Sequence, residues 1–372
     1  MEFICSKCGK RAPASTRAYH CECGGLWQLD YRPPKFDLAQ VDKGEWSQYR
    51  YRQFMAIEDD SWKEVSLGEG MTPIVPFDDD VLLKLDYCMP TLSFKDRGAA
   101  TLVAHCKSIG VDHAVEDSSG NAGNAIAAYC SRAGMTCEIS VPEGTSTKKI
   151  QMIRSHGAKV HMVSGNRDRC ADLCRKRVKE EGSYYASHVY NPFFFEGTKT
   201  YIYETFEQLH RIPKYILLPV GNGTLFLGVM KGLEHLLESG CIDHMPQIIG
   251  VQSECCDPIC RAVKAQTEEV EEVQPCPTLA EGIAIGKPMR GHEILGYARK
   301  YGVRFVHAPE TEIFKSMAQL AKQGISCEPT AAANYAGYQE YCRLYGRTHD
   351  CLIPVCGSGL KSDHSYLQEK NK

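Results

Sequence analysis

One segment of this sequence has the residue types that bind a small anion at the start of a helix. In YILLPVGNGT, an apolar run ends in Gly221, Asn222, Gly223 and Thr224, and a helical pattern follows. Small residues let backbone N–H groups approach an anion, and the positive end of the helix dipole favours negative charge. The segment is therefore a candidate phosphate cradle. It is neither a Walker loop nor a dinucleotide-binding fingerprint, because the spacing of neither motif is met.

A second segment offers polar groups for ligand binding. The apolar HAVED leads into Ser118, Ser119, Gly120, Asn121 and Ala122, and an Ala-rich helical pattern follows. Backbone and hydroxyl donors thus lie together at the start of a helix. The alternative interpretation is an ordinary helix N-cap, which the serines would also satisfy.

A third segment, PTLSFKDRGAA, supplies an amine. Lys95 stands beside Ser93 and Phe94 at the start of a helical pattern. The positive helix end and the apolar neighbours lower the pKa of such an amine, which favours imine formation with an aldehyde. A lone lysine is usually a solvated surface residue, but this one shares a chain with a phosphate cradle and a polar loop. Together the three segments predict a pyridoxal 5′-phosphate site.

The elements that must position these segments alternate between apolar runs and amphipathic stretches. Strands are predicted at 81–86, 113–117, 136–141, 158–163, 215–220, 247–251 and 351–355, and helices at 97–109, 121–134, 145–156, 167–181, 196–210 and 224–239. This alternation is typical of α/β domains with open, mostly parallel sheets covered on both faces. Ligands bind such sheets at the carboxyl ends of the strands, where loops lead into helices.

The N-terminal segment carries two short cysteine pairs, Cys5 with Cys8 and Cys21 with Cys23. Such Cys-x₂-Cys and Cys-x-Cys turns let four thiolates face one ion. A segment of this size has too little apolar area to fold alone, so we predict a closed, structural zinc site. Oxidation of the thiols is the alternative. Few basic residues accompany the cysteines, which argues against a nucleic-acid role.

Composition narrows the class of protein. The chain has 372 residues, 43 basic against 46 acidic side chains, a net charge of −3 and 43% hydrophobic residues. It is long enough for two or three domains with sizeable cores. The near-neutral charge argues against a nucleic-acid partner, and there is no apolar segment typical of a signal or a membrane span. We therefore expect a reduced, cytoplasmic protein in which most of the 19 cysteines pack as small hydrophobes.

A longer series of motifs runs along the chain. In order, the segments are SLGEGMTPI (66–74), PTLSFKDRG, SSGNAGNA, NPFFFEGTKT (191–200), PVGNGT, EGIAIGKPMR (281–290), GISCEPTAAA (324–333) and CGSGLK (356–361). This series resembles the fold-type II pyridoxal-phosphate enzymes, and within them the threonine synthases. The resemblance implies a zinc ribbon (1–31), a larger cofactor-binding domain (32–95 and 205–372) and a smaller mobile domain (96–204). It also implies a homodimer.

The resemblance implies a role for each matching residue. Lys95 would hold the cofactor as a Schiff base, Asn121 would bind the cofactor's 3′-oxygen, residues 221–224 its phosphate, and residues 118–120 the substrate carboxylate. Cys356 stands where the family places Ser, Thr or, in some dehydratases, Cys against the pyridine nitrogen. A neutral partner there leaves that nitrogen largely unprotonated, which favours elimination over transamination.

Three positions depart from the threonine synthases. Val189 and Phe194 stand where the family places a Ser and an Arg that grip the phosphate of phosphohomoserine, and Ala122 replaces a Thr. Burying a phosphate dianion without those hydrogen bonds is costly. The sequence therefore predicts a lyase that acts on a small α-amino acid without a terminal phosphate, by β-elimination (ammonia-lyase type) or β-replacement. Glu328 is a further candidate, either in the site or as a helix cap.

Two alternatives remain open. The chain is a threonine synthase if Asn222, His188 or Lys199 supplies the phosphate grip instead. It is a catalytically silent binding protein if it keeps only the fold, and retention of Lys95 and Asn121 argues against that reading.

Overall fold

The structure is a computed structural model that describes residues 1–165 and 167–362, without the side chain of Asp168. Its strands are β1 (Glu2–Cys5), β2 (Arg11–Pro13), β3 (Trp27–Leu29), β4 (Ile74–Pro76), β5 (Val81–Lys84), β6 (His113–Glu116), β7 (Thr136–Pro142), β8 (Lys159–Val163), β9 (Tyr184–Tyr185), β10 (Tyr215–Pro219), β11 (Gln247–Ser253), β12 (Arg304–Ala308) and β13 (Cys351–Pro354).

The helices alternate with these strands over most of the chain. They are α1 (Trp62–Val65), α2 (Lys95–Ser108), α3 (Asn121–Arg132), α4 (Thr147–Ser155), α5 (Arg167–Glu181), α6 (Phe193–Thr198), α7 (Thr200–Leu209), α8 (Thr224–Glu238), α9 (Pro258–Ala265), α10 (Gly291–Tyr301), α11 (Glu310–Lys322) and α12 (Pro329–Tyr345). Short 3₁₀ turns lie at Leu38–Gln40, Gln48–Phe54, Asp86–Cys88, Glu281–Ile283 and Gly359–Lys361.

Two sheets form the body of the molecule. The six-stranded sheet has the order β12-β11-β10-β13-β5-β4 and is parallel except between β4 and β5. The four-stranded sheet has the order β8-β7-β6-β9 and is parallel throughout. The central strands β10 and β13 are apolar along almost their whole length because both of their faces are buried. The predicted α/β fold with mostly parallel sheets is confirmed.

The predicted elements differ from the structure at several places along the chain. The single helix predicted over 196–210 is two helices, α6 and α7. Strands β1, β2, β4, β9 and β12 and helices α1 and α9 to α12 were not predicted. No helix in the described part of the chain is long and apolar enough to cross a membrane. The predicted domain boundaries remain a prediction, and residues 363–372 of the larger predicted domain lie outside the described residues.

The N-terminal residues form a small antiparallel sheet of order β2-β1-β3. Its aromatic side chains pack on the body of the molecule, where Phe3 meets Phe193 edge to face at 6.0 Å between ring centroids. Arg290 ties the same region together. Its guanidinium donates to the carbonyl oxygens of Trp27, Val189 and Tyr190. The N-terminal sheet is thereby attached to the segment that leads into α6.

Candidate active site

The glycine-rich segment 221–224 connects β10 to α8. Gly223 adopts a left-handed conformation with φ of +77°, and a Cβ there would lie 2.6 Å from a side-chain carbon of Ile294. A Cβ on Gly221 would lie 3.1 Å from the carbonyl oxygen of Gly282. Only glycine suits these positions, so the backbone forms a close-packed turn at the N-terminus of a 15-residue helix. This is the geometry predicted for a phosphate cradle.

Lys95 reaches this turn from the first residue of α2. Its Nζ donates to Thr224 Oγ1 at 2.8 Å and lies 4.7 Å from the ring centroid of Phe94. Burial lowers the pKa of the Lys95 amine to about 8, although the carboxylate of Glu116 opposes the shift. About a tenth of the amine is therefore uncharged at pH 7, and the uncharged form is the one that a nucleophile or base requires.

The turn before Lys95 is held by the loop that follows β13. The backbone N–H of Phe94 donates to the carbonyl oxygen of Cys356 at 2.9 Å, and Ser358 N–H donates to Leu92 at 3.1 Å. The Cys356 thiol is fully buried, and burial raises its pKa well above the ordinary value. It lies 3.8 Å from Asn334 Nδ2 and 3.7 Å from the carbonyl oxygen of Pro354. Cys356 is thus a neutral thiol in the same wall as Lys95.

The polar loop 118–122 lies between β6 and α3. Gly123 lies so close beneath it that a Cβ would sit 1.8 Å from the Ser118 carbonyl oxygen. The Ser118 side chain accepts a hydrogen bond from Gly120 N–H at 3.3 Å, so it shapes the loop and does not cap the helix further along. The close approach of Gly123 and this hydrogen bond together fix the shape of the loop.

Asn121 and Glu328 contact each other across the gap between the two sheets. Asn121 Nδ2 donates to both carboxylate oxygens of Glu328, at 3.0 and 3.2 Å. Glu328 occupies the N-cap position of α12, but its side chain makes no capping hydrogen bond. The carboxylate instead lies against Gly357, where a Cβ would be 2.4 Å away. The structure thus favours the site interpretation of Glu328 over the helix-cap interpretation.

These segments line one cavity of about 750 Å³ between the two sheets. Its walls include Lys95, Ser118, Ser119, Gly120, Asn121, Ala122, Gly221, Asn222, Gly223, Thr224, Glu328 and Cys356. Val189 and Phe194 are buried and do not line it. Other residues that the sequence analysis did not place in the site also line it, among them Ser146, Lys149 and Arg167.

Comparison with known proteins identifies the family. Residues 65–357 match the model of the pyridoxal-phosphate dependent enzymes. The threonine synthase of Methanocaldococcus jannaschii is 31% identical to this chain over 98% of this chain and 94% of that protein. The chain belongs to the pyridoxal-phosphate-dependent enzymes. Within that family it is threonine-synthase-like and of fold type II.

Solved structures share the fold of this enzyme. The processed form of threonine deaminase isoform 2 from Solanum lycopersicum superposes with a TM-score of 0.72 at 19% identity, covering 94% of this chain and 91% of that one. Maize serine racemase gives a TM-score of 0.69 at 17% identity, covering 81% and 91%. At these identities the likeness concerns the fold alone.

The cavity of this enzyme fits its family's cofactor on three counts. The close-packed turn at 221–224 can accept a phosphate on backbone N–H groups, and the Lys95 amine contacts the residue that ends that turn. The Cys356 thiol supplies a neutral partner for a ring nitrogen. Asn121 is engaged by Glu328 here, so its Nδ2 would have to exchange that partner for the cofactor's oxygen.

Phe194 lies behind the cavity wall. Its ring centroid is 5.6 Å from Lys95 Nζ and 5.8 Å from the His188 ring. A Cβ on Gly98 would lie 2.4 Å from the Phe194 ring, so the ring fills the space that this glycine leaves. Val189 points elsewhere in the packing, and its carbonyl oxygen accepts from Arg290 Nε at 2.6 Å. Position 194 therefore places an apolar ring directly behind the cavity wall and offers no charge to a ligand.

His188 lines the cavity beside this wall. Its Nδ1 lies 2.8 Å from Glu116 Oε1, at the end of β6. Burial, followed by the charges of Lys95 and Arg167, lowers the pKa of His188 well below the ordinary value, so the imidazole is neutral. Lys199, which the sequence analysis named for an alternative phosphate grip, does not line the cavity. Its ammonium is buried against the Glu196 carboxylate at 2.5 Å.

The four N-terminal cysteines converge as predicted. Their sulfur atoms all lie within 4.8 Å of one another, with Cys5 and Cys23 3.4 Å apart and Cys8 and Cys21 3.7 Å apart. Zn–S bonds of about 2.3 Å in a tetrahedron require S–S separations of just under 4 Å. The donor set is compatible with a structural zinc ion, which stays a prediction.

Proposed function

We propose that this enzyme is a pyridoxal-phosphate-dependent lyase that removes the β-substituent of a small α-amino acid carrying no terminal phosphate. Elimination yields a keto acid and ammonia, whereas capture by a nucleophile yields a β-replaced amino acid. The observation that carries the proposal is that position 194, 5.6 Å from the Lys95 amine and directly behind the cavity wall, holds a buried phenyl ring and no cation. A cationic side chain at this position would reach a phosphate near Lys95, and a phenyl ring cannot.

Each wall of the cavity has a task in this proposal. The cofactor, when bound, withdraws electrons from the substrate's Cα. Lys95 takes the Cα proton with an amine that is uncharged in part near neutral pH. The loop 118–120 orients the substrate carboxylate with backbone and hydroxyl donors. The neutral Cys356 thiol cannot protonate a ring nitrogen as a carboxylic acid would, which favours elimination over transamination.

A substrate panel tests the proposal directly. Serine, threonine, their O-acyl and O-phospho forms and phosphohomoserine are each incubated with the holoenzyme, and keto acid, ammonia, phosphate and amino-acid products are measured. We expect turnover of at least one phosphate-free substrate. Lys95→Ala should abolish it, and Lys107→Ala on the same helix, where Lys107 pairs with Glu64, should not. Clean threonine formation from phosphohomoserine would contradict the proposal.

The second candidate function is threonine synthase. The likeness to the Methanocaldococcus jannaschii enzyme over 98% of this chain favours it. Among the residues named for an alternative phosphate grip, Asn222 and His188 line the cavity. Arg167 lines it too and adds a cation to the wall. Phosphate release from phosphohomoserine that is lost in Arg167→Gln would favour this candidate.

Assembly and location remain predictions of the same proposal. A homodimer and a cytoplasmic location follow from the family resemblance and the composition. Size-exclusion chromatography with light scattering tests the first, and fractionation of the source cells tests the second.

A further inference from the structure

Glu116 is a buried carboxyl group with a hydrogen-bond partner at only one of its two oxygen atoms, among the described residues. Its side chain has no exposed surface, and its Oε2 makes no hydrogen bond within the described residues. Burial raises its pKa well above the ordinary value, and the neighbouring charge of Asp117 adds to the shift. Buried polar atoms are normally satisfied, so an orphaned carboxyl oxygen calls for an explanation. The group fits a protonated acid more easily than a carboxylate.

His188 is the partner that this acid does have. The distance of 2.8 Å between Glu116 Oε1 and His188 Nδ1 is that of a hydrogen bond. With both groups neutral, the carboxylic acid donates to Nδ1, and the imidazole therefore carries its own proton on Nε2. No hydrogen-bond partner for Nε2 occurs in the described part of the chain, and the ring lines the cavity. The pair thus presents an N–H donor to a ligand.

The His188 N–H donor shares the cavity with Lys95, the residue that takes the Cα proton. The Phe194 ring lies within 6 Å of both groups, with its centroid 5.8 Å from that of the His188 ring and 5.6 Å from Lys95 Nζ. The charges of Lys95 and Glu116 interact, since Glu116 opposes the lowering of the Lys95 pKa. An acid that faces the substrate near its Cα base is suited to protonate a group that leaves from Cβ.

We propose that His188 is a catalytic acid that protonates the oxygen leaving from the substrate's Cβ, with Glu116 as the positioning residue behind it. The inference rests on the proposed function and deepens it. The substrate class it names is the β-hydroxy amino acids, because hydroxide is a poor leaving group and leaves readily only as water.

The proton transfers balance within the site. Lys95 takes the Cα proton, a Cα=Cβ double bond forms, and the Cβ–O bond breaks with its electron pair on oxygen. His188 Nε2–H gives that oxygen its proton and releases water, while Glu116 passes its own proton to Nδ1. Glu116 ends as a carboxylate and Lys95 as an ammonium. Return of one proton from Lys95 by way of water to His188 Nε2, with the Nδ1 proton passing back to Glu116, restores all three groups.

A comparison of two leaving groups tests the assignment. Serine needs a proton on its leaving oxygen, whereas β-chloroalanine loses chloride without one. General acid catalysis contributes about 10²- to 10⁴-fold. We expect His188→Gln to lower kcat on serine by at least about 100-fold and on β-chloroalanine by less than about threefold. His156→Gln, at a partly buried histidine that does not line the cavity, is the control. Glu116→Gln should lower serine turnover about as much as His188→Gln does, because the amide still holds the ring but has no acidic proton to pass to Nδ1.

The outcomes separate this inference from the proposed function. Equal losses on both substrates would show that His188 is only structural, and would overturn the inference while the proposed function stands. Failure of the wild-type enzyme on serine and threonine, with turnover of β-chloroalanine or an O-acyl substrate, would overturn the inference alone. Failure on every phosphate-free substrate would overturn both.

A readout independent of turnover comes from nitrogen-15 NMR of histidine-labelled protein without cofactor. We expect His188 to be neutral with its proton on Nε2 at pH 7, and that tautomer to persist in Glu116→Gln, whose amide N–H can also donate to Nδ1. A proton on Nδ1 alone would leave Nε2 without a hydrogen to donate, and an imidazolium would need no proton from Glu116. Either result would overturn the assignment.

Discussion

Glu204→Gln should destabilise the protein strongly, because Glu204 joins two buried cations beneath the helix that carries Lys95. One of its oxygens accepts from Lys84 Nζ at 2.6 Å and the other from Arg97 Nη1 at 2.9 Å. Arg97 also binds Asp86 at 2.9 Å. The four side chains of this ion network have no exposed surface. The two positive charges of Lys84 and Arg97 are thus balanced by the two carboxylates inside the protein, away from its surface.

The size of the effect follows from this balance. Glutamine at position 204 is nearly the same shape but leaves Lys84 and Arg97 to share the single charge of Asp86. Removing one member of a buried ion pair costs about 3–5 kcal/mol, because the remaining charge is not solvated. The free energy of unfolding should fall by that amount. Glu312→Gln, which breaks a partly exposed pair with Lys315, should cost about 0–1 kcal/mol.

Urea unfolding followed by circular dichroism measures both variants, and pH provides a second check. Burial would raise the pKa of Glu204, but Arg97 and Lys84 hold it well below the ordinary value. Since the folded-state pKa is the lower one, the stabilisation is complete above the unfolded carboxyl pKa of about 4.3 and declines as the pH falls further. A loss in Glu204→Gln no larger than that in Glu312→Gln at pH 7 would refute the reasoning.

Three further predictions concern the cavity and the N-terminal cysteines. Uptake of pyridoxal 5′-phosphate by the cofactor-free protein should accelerate with pH around the Lys95 pKa of about 8; a midpoint near the ordinary lysine value of about 10.4 would contradict the burial argument. Gly123→Ala places a Cβ 1.8 Å from the Ser118 carbonyl oxygen, so equilibrium titration should show cofactor affinity reduced by about tenfold or more, and unchanged affinity would mean that the loop yields easily. Elemental analysis should find about one zinc per wild-type chain and almost none in Cys8→Ser, with Cys88→Ser as the control outside the cluster; a wild-type protein free of zinc would exclude the predicted metal.

The elements that could be predicted from the sequence are those with continuous apolar patterns. The strands at 81–86 and 215–220 lie within the buried part of the six-stranded sheet, so their composition alone marks them. Strand β12 escaped prediction because it is the edge of that sheet, where Arg304 and His307 are exposed and interrupt the apolar run. Helix α6 escaped for a different reason: it is six residues long and follows Pro192, so the helical period is too short to separate it from α7.

The residues of the candidate site also differ in whether a local sequence pattern predicts them. The cradle and Lys95 each lie in one contiguous segment at a helix start, where local spacing reveals them. The pair of Glu116 and His188 cannot be found in this way, because its members are 72 residues apart and meet only when β6 and the segment after β9 pack together. Glu116 also reads as an ordinary strand terminus in HAVED. Its burial becomes informative only once the structure shows that, within the described residues, Oε1 is bound by His188 and Oε2 has no hydrogen-bond partner. The buried acid is therefore found from the fold and not from the motif.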